Sequence, residues 1–279
     1  MTHSTKKSFI LGGSIETALS GQYQLSPVAV FQEALKHTIR HFISFTPSIV
    51  ILLIVQIAIF YIALQLQIGD PLALLSRFLE PDTITSDVLT AIMVANFSYE
   101  VISAPIYAGV CLMGMSHAAG LKTKPKHILK GLQFTIPLIL ATMVGLILQG
   151  IAGQLLFVLS LYLSVAFSNA VLLICEKRIA PISALLLSLR AVNKKLMPLL
   201  SIYLVIMALF VLATIFYGFP LLFVLPLYFH VKGIVYRNMF GITLKIVATD
   251  SDDHPDSGNR SESHSSNTDS NKDSDIFNA

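Results

Sequence analysis

Residues 48–67 read SIVILLIVQIAIFYIALQLQ, twenty residues without a formal charge. At 1.5 Å per residue a helix of this length rises ~30 Å, the thickness of a bilayer's hydrocarbon core. The stretch directly before it, FQEALKHTIRHFISFTP (31–47), has a different pattern. Its polar residues are Glu33, Lys36, His37, Arg40, His41 and Ser44; its apolar or borderline ones are Phe31, Ala34, Leu35, Thr38, Ile39, Phe42 and Phe45. Both sets advance by three or four, which predicts an amphipathic helix ending near Pro47. On this reading His37 and His41 share an exposed stripe with Lys36 and Arg40. That stripe repels a cation, so the i, i+4 histidine pair reads as a solvated face rather than a metal site.

The rest of the chain agrees with a membrane class. It is 54% hydrophobic and 13% charged, with a mean hydropathy of +0.72. A soluble domain carries roughly 25% charged residues. The net charge of +3 divides unevenly: residues 250–279 carry −6 and the remainder +9. The basic excess lies between apolar spans, which argues against nucleic-acid binding. Cys111 and Cys175 fall inside apolar segments without a CxxC pattern and read as packing residues. Lys6 and Lys7 are followed only by SFIL before Gly12 and Gly13, too short an apolar run for a cleavable signal peptide.

Six spans are expected, at about 48–67, 91–116, 132–150, 154–175, 198–217 and 219–240. The third and fourth are separated by a Gly-rich QGIAGQ that reads as a tight hairpin. Lysines and arginines concentrate ahead of the first span, between the second and third, between the fourth and fifth, and around the end of the sixth. The remaining loops hold a single basic residue, Arg77, beside Asp70, Glu80, Asp82 and Asp87. By the positive-inside rule, both termini are expected on the cytoplasmic side of a bacterial inner membrane. The fold class is therefore all-α: a polytopic helix bundle with amphipathic interfacial helices on its cytoplasmic side. Residues 1–26 read as a cytoplasmic N-terminal segment and 27–248 as the membrane domain. The Ser/Asp/Asn-rich 249–279 reads as a disordered cytoplasmic tail.

Part of the first amphipathic word returns. ALKHTIR (34–40) and ALLLSLR (184–190) share Ala, Leu, a hydroxyl residue, a branched aliphatic and Arg at matching offsets, with flanking prolines. KPKHILKGLQFTIP (124–137) is a weaker third copy. Three units follow, each an amphipathic helix leading into a hairpin of spans. Lys36, Arg40, Arg190, Lys194 and Lys195 are the candidate contacts to anionic lipid headgroups, each contributing on the order of 1 kcal/mol near a charged surface. A linker helix packed on the bundle is the alternative.

CEKRIAPISALLLSLRAVNKKLMPLL (175–200) resembles the cytoplasmic signature of the YciC-like bacterial inner-membrane proteins. These are related to the membrane domain of glycerophosphodiester phosphodiesterases. SAPIYAGVCLMG (103–114) and GGSIETALSGQYQLSP (12–27) are similar to stretches of the same proteins. The resemblance covers about a quarter of the chain. It implies a membrane-organising role in envelope maintenance and supplies no catalytic residues.

No phosphate loop, nucleophile elbow, zinc-protease or dinucleotide motif is present, so neither an enzyme nor a cofactor or metal is expected. GGSIE (12–16) lacks a preceding strand in this reading and is taken as a flexible turn. The polar residues inside spans raise the sharper question, because ionisable groups in hydrocarbon are costly. Glu100, His230, Lys232 and Asn169 form the candidate buried polar set. Glu100 and Lys232 are placed at similar depth, close enough for an ion pair. Two functions follow: a non-enzymatic protein organising lipid or partner proteins, or a small permease or channel with a polar path through the bundle.

Overall fold

The computed structural model of the chain describes residues 6–70 and 86–247. The acidic tail and most of the expected outer loop, with Arg77, Glu80 and Asp82, lie outside the described residues. The order is β1 (Lys6–Leu11), α1 (Ile15–Ser20), α2 (Pro27–Ile68), α3 (Ser86–Ala118), a 3-10 helix (Pro125–Phe134), α4 (Thr135–Leu155), α5 (Phe157–Ala166), α6 (Ala170–Lys177), α7 (Pro181–Lys194), α8 (Leu196–Ile215), α9 (Leu221–Phe240) and β2 (Ile242–Val247). It is an all-α membrane-type bundle with one small sheet at one end.

Five helical segments are long and apolar enough to cross a membrane: Pro27–Ile68, Ser86–Ala118, Pro125–Leu155, Phe157–Lys177 and Leu196–Ile215. The expected sixth span, α9, is not among them. Thirteen of its twenty residues are buried, so it is wrapped by the other helices. β1 nevertheless pairs antiparallel with β2, from Lys6 opposite Val247 to Leu11 opposite Ile242. The paired strands hold the two ends of the bundle together.

Three local readings are corrected. Residues 27–68 form one helix with Pro47 inside it, not an interfacial helix followed by a separate span. A neighbouring helix compensates a proline's missing donor within a bundle. The turn between the third and fourth spans falls at Leu156, with extended backbone, so Gly150 and Gly153 stay helical. The GGS at 12–14 is a tight junction rather than a flexible turn. The Gly13 N–H donates to the Arg237 carbonyl at 2.9 Å, and a Cβ on Gly13 would fall 2.4 Å from the Met239 carbonyl oxygen. Ser14 then caps α1 by accepting from the Thr17 N–H at 3.1 Å.

The fourth span is broken between α5 and α6, at 167–169. Ser188 of α7 bridges the gap: its hydroxyl donates to the Ala166 carbonyl at 2.6 Å and accepts from the Asn169 N–H at 3.3 Å. The serine of ALLLSLR thus satisfies groups released by the interrupted helix. The small residues of the second span also have a use. A Cβ on Gly109 would lie 1.8 Å from the Ile128 carbonyl oxygen, and one on Gly114 2.5 Å from that of Phe229. The 3-10 helix and α9 therefore approach α3 backbone to backbone, as small residues permit.

Candidate functional site

Two polar clusters lie within the bundle, on the same helix α9. The first is an array of four imidazoles from three helices: His37 and His41 on α2, His117 at the end of α3, and His230 on α9. The His41 and His117 rings stack with centroids 4.1 Å apart and planes within 9°. His117 stacks on His230 at 5.1 Å, and His230 on His37 at 6.0 Å. His117 Nδ1 and His230 Nε2 are hydrogen-bonded at 2.9 Å. The chain of bonds continues from His117 Nε2 to the Thr123 hydroxyl at 2.8 Å, and from His230 Nδ1 to the Thr38 hydroxyl at 3.0 Å. A neutral imidazole donates once and accepts once, so this chain is consistent with its protons pointing in either direction.

Glu33 and Arg237 cover the array. The Arg237 guanidinium donates to both Glu33 carboxylate oxygens, at 2.6 and 2.9 Å, and to the Ala118 carbonyl at 2.8 Å. Glu33 Oε1 is also 3.5 Å from His37 Nε2. Phe45 packs on both His117 and His230. Among the described residues no group of three or more His, Cys, Asp or Glu is arranged to hold a metal ion. Near-parallel stacked rings are packing, not coordination.

The array corrects the exposed-stripe reading of His37 and His41. The inward face of α2 carries Ala34, Thr38, Phe45 and the two histidines. Its outward face carries Lys36 and Arg40 together with Leu35, Ile39 at 66% exposure and Ile43 at 87%. In a bilayer the apolar residues can face out and the polar ones in, so periodicity defines two faces without saying which is buried.

The second cluster lines an open cavity of about 540 Å³ to which every helix from α2 to α9 contributes, α7 through Leu185 alone. Lys232, only 3% exposed, donates to the Tyr107 hydroxyl at 2.7 Å. That hydroxyl is in turn bonded to the Tyr228 hydroxyl at 2.8 Å. The ammonium lies 4.8 Å from the Tyr107 ring centroid and 5.8 Å from that of Tyr228, within cation–π reach. Glu100 is on the same cavity wall but forms no ion pair with Lys232; it is bonded to Asn96 instead. Glu100 and Tyr107 are seven residues apart on α3, about 10 Å along the axis, which separates the acid from the ammonium. Asn169 lies in the helix break, fully buried, its amide nitrogen 3.7 Å from Met239 sulfur. The candidate set Glu100, His230, Lys232 and Asn169 is thus distributed over three environments.

The basic surface candidates also separate. Lys36, Arg40, Arg190 and Lys194 are exposed. Lys195 instead donates to the Tyr23 carbonyl and sits over the Tyr23 ring at 5.4 Å. The Tyr23 hydroxyl donates to the Ala191 carbonyl at 3.0 Å. Burial pushes its pKa up to about 12, so it remains a donor at neutral pH. The CEKR segment has a similar structural use: Glu176 accepts from the Tyr236 hydroxyl at 2.8 Å and from the Thr243 N–H at 3.0 Å. These contacts tie β2 to α6.

Fold and clusters together define an integral, multi-pass membrane helix bundle. Comparison of the chain with protein-family models, with curated proteins and with solved structures gives no match.

Proposed function

We propose that this chain is a non-enzymatic protein of the bacterial cytoplasmic membrane that organises lipid in envelope maintenance, with both termini on the cytoplasmic side. The observation that carries this reading is the outward face of α2 and α7. Lys36 and Arg40 are interleaved with exposed Leu35, Ile39 and Ile43; Arg190 and Lys194 lie on the helix that exposes Ile182 and Leu186. Exposed apolar side chains interleaved with long cations suit the headgroup boundary, where apolar groups enter the acyl layer and ammonium or guanidinium groups reach anionic lipid. The resemblance to YciC-like proteins supports the same role.

The test is lipid retention. Protein purified in an uncharged detergent should carry anionic phospholipid in excess over zwitterionic. The quadruple variant Lys36→Gln/Arg40→Gln/Arg190→Gln/Lys194→Gln should lose that excess; an unchanged lipid profile would overturn the reading. Orientation is checked by labelling intact cells with an impermeant thiol reagent. Phe219→Cys, at a position 82% exposed, should react, whereas Lys126→Cys should be protected until the cells are opened.

A second reading, a small permease, is favoured by one observation: Gln56, Glu100, Gln149 and Lys232 reach the same cavity from four helices. Solute flux in liposomes that disappears in Glu100→Gln would select it.

A further inference from the structure

The Lys232 corner of the cavity holds more hydrogen-bonding capacity than its own contacts consume. An ammonium has three donors, and this one is almost fully buried with no carboxylate within 4 Å among the described residues. Its phenol neighbours Tyr107 and Tyr228 are joined on the same wall by Tyr203, whose buried hydroxyl is turned toward that of Ser168; neither hydroxyl has a partner at close hydrogen-bonding distance among the described residues. A buried cation is costly unless an anion compensates it, and buried polar atoms are normally satisfied. The remaining wall is mainly apolar, with Leu146, Leu204 and Met207 among its members. A cavity of about 540 Å³ with a mostly apolar lining and a few convergent donors has the size and character of a small-ligand site.

We infer that this cavity binds an amphiphile with a single anionic head. Its carboxylate or phosphate accepts from the Lys232 ammonium and from the Tyr203 and Ser168 hydroxyls, and its apolar chain lies along the aliphatic wall. The inference rests on the lipid-organising reading and names a ligand class for it. Glu100, two turns away on α3, makes a second negative group on the ligand unfavourable. The charge balance also gives the site its sign: a cationic or uncharged head leaves the ammonium without a counterion.

The experiment uses the full chain in uncharged detergent, with dodecanoate, dodecyl phosphate, monolauroylglycerol and inorganic phosphate as probes. Dodecanoate and dodecyl phosphate should raise the melting temperature saturably. Each should bind about tenfold or more tighter than monolauroylglycerol, because a charge-assisted bond is absent from the neutral head. Inorganic phosphate alone should leave the melting temperature unchanged. Lys232→Met should abolish the preference for anionic heads, and Tyr203→Phe should weaken anionic binding several-fold with the ammonium intact. Equal affinity for charged and neutral amphiphiles would overturn the inference, as would a phosphate affinity matching that of dodecyl phosphate. If Lys232→Met does not fold, the head series on the native chain and Tyr203→Phe decide the question. The quadruple surface variant separates the two proposals. Lost anionic phospholipid with intact dodecanoate binding supports both; unchanged phospholipid with intact dodecanoate selectivity sinks only the surface reading. Lost selectivity in the native chain with normal phospholipid retention sinks only the cavity site.

Discussion

His230 and Lys232 are two residues apart on α9, yet their surroundings are opposites. His230 is held on both ring nitrogens, by Thr38 and His117, and packed between imidazoles and Phe45. Lys232 meets two phenols on one side and a cavity on the other. Both are expensive residues to bury. The first is matched by partners from the protein itself, which marks a structural cluster that pins α2, α3 and α9 together. The second has donors left over beside apolar space, which marks a site. The comparison shows that burial of a polar group does not by itself indicate function; what matters is whether its hydrogen-bonding capacity is already used.

The largest effect should come from the ion pair that closes the imidazole array. Arg237→Leu leaves the Glu33 carboxylate and the Ala118 carbonyl without their donor and should destabilise the protein by about 3 kcal/mol. Thermal unfolding in detergent measures this; a loss under ~1 kcal/mol would mean that the pair behaves as a surface bridge. Next is His117→Leu, which removes bonds to both His230 and Thr123 and leaves their buried partners unmatched. A cost of about 2 kcal/mol is expected, with dodecanoate binding by the folded fraction unchanged. A variant that loses ligand binding while keeping its stability would erase the distinction between the clusters.

Acid should open the array selectively. Two protonated rings about 5 Å apart repel by roughly 3 kcal/mol at an effective dielectric of 20. Unfolding releases that repulsion, so the unfolded chain takes up more protons than the array does. Stability therefore rises with pH through the ordinary histidine range near ~6.5, and falls as pH is lowered through it. Melting temperatures between about pH 5 and 8 test this, and His117→Leu should flatten the slope. A pH-independent melting temperature in the native chain would show that the rings do not carry the stability assigned to them. Smaller again is Tyr23→Phe, expected to cost about 1 kcal/mol through the lost bond to Ala191. Smallest is the pair Lys36→Gln/Arg40→Gln, expected within ~0.5 kcal/mol in detergent because both side chains are exposed.

Much of this bundle was legible in the hydropathy: the 48–67 run and the long second span both lie within helices. What was not legible has specific causes. The helix at 27–47 shows two faces by period, but a bilayer reverses the usual meaning of apolar, and Ile39 and Ile43 face outward while His37 and His41 face in. The array itself joins residues 37, 41, 117 and 230, whose separations in sequence have no local signature. β1 and β2 are six residues each and pair across nearly the whole chain; the alternation in ITLKIV was the one available hint. Glu100 and Lys232 stand out in the sequence because ionisable residues are rare in spans. Equal depth counted along straight helices could not reveal that Tyr107 and Tyr228, rather than Glu100, would meet the ammonium.

The most direct test is the melting temperature of Lys232→Met without added ligand, beside that of His117→Leu. An ammonium kept for a ligand's charge is a stability cost in the unliganded protein, and methionine fills similar volume without it. The account predicts that Lys232→Met melts at or above the native temperature while dodecanoate no longer shifts it. A fall as large as that of His117→Leu would show that Lys232 is a structural residue like the histidines, and would contradict the account.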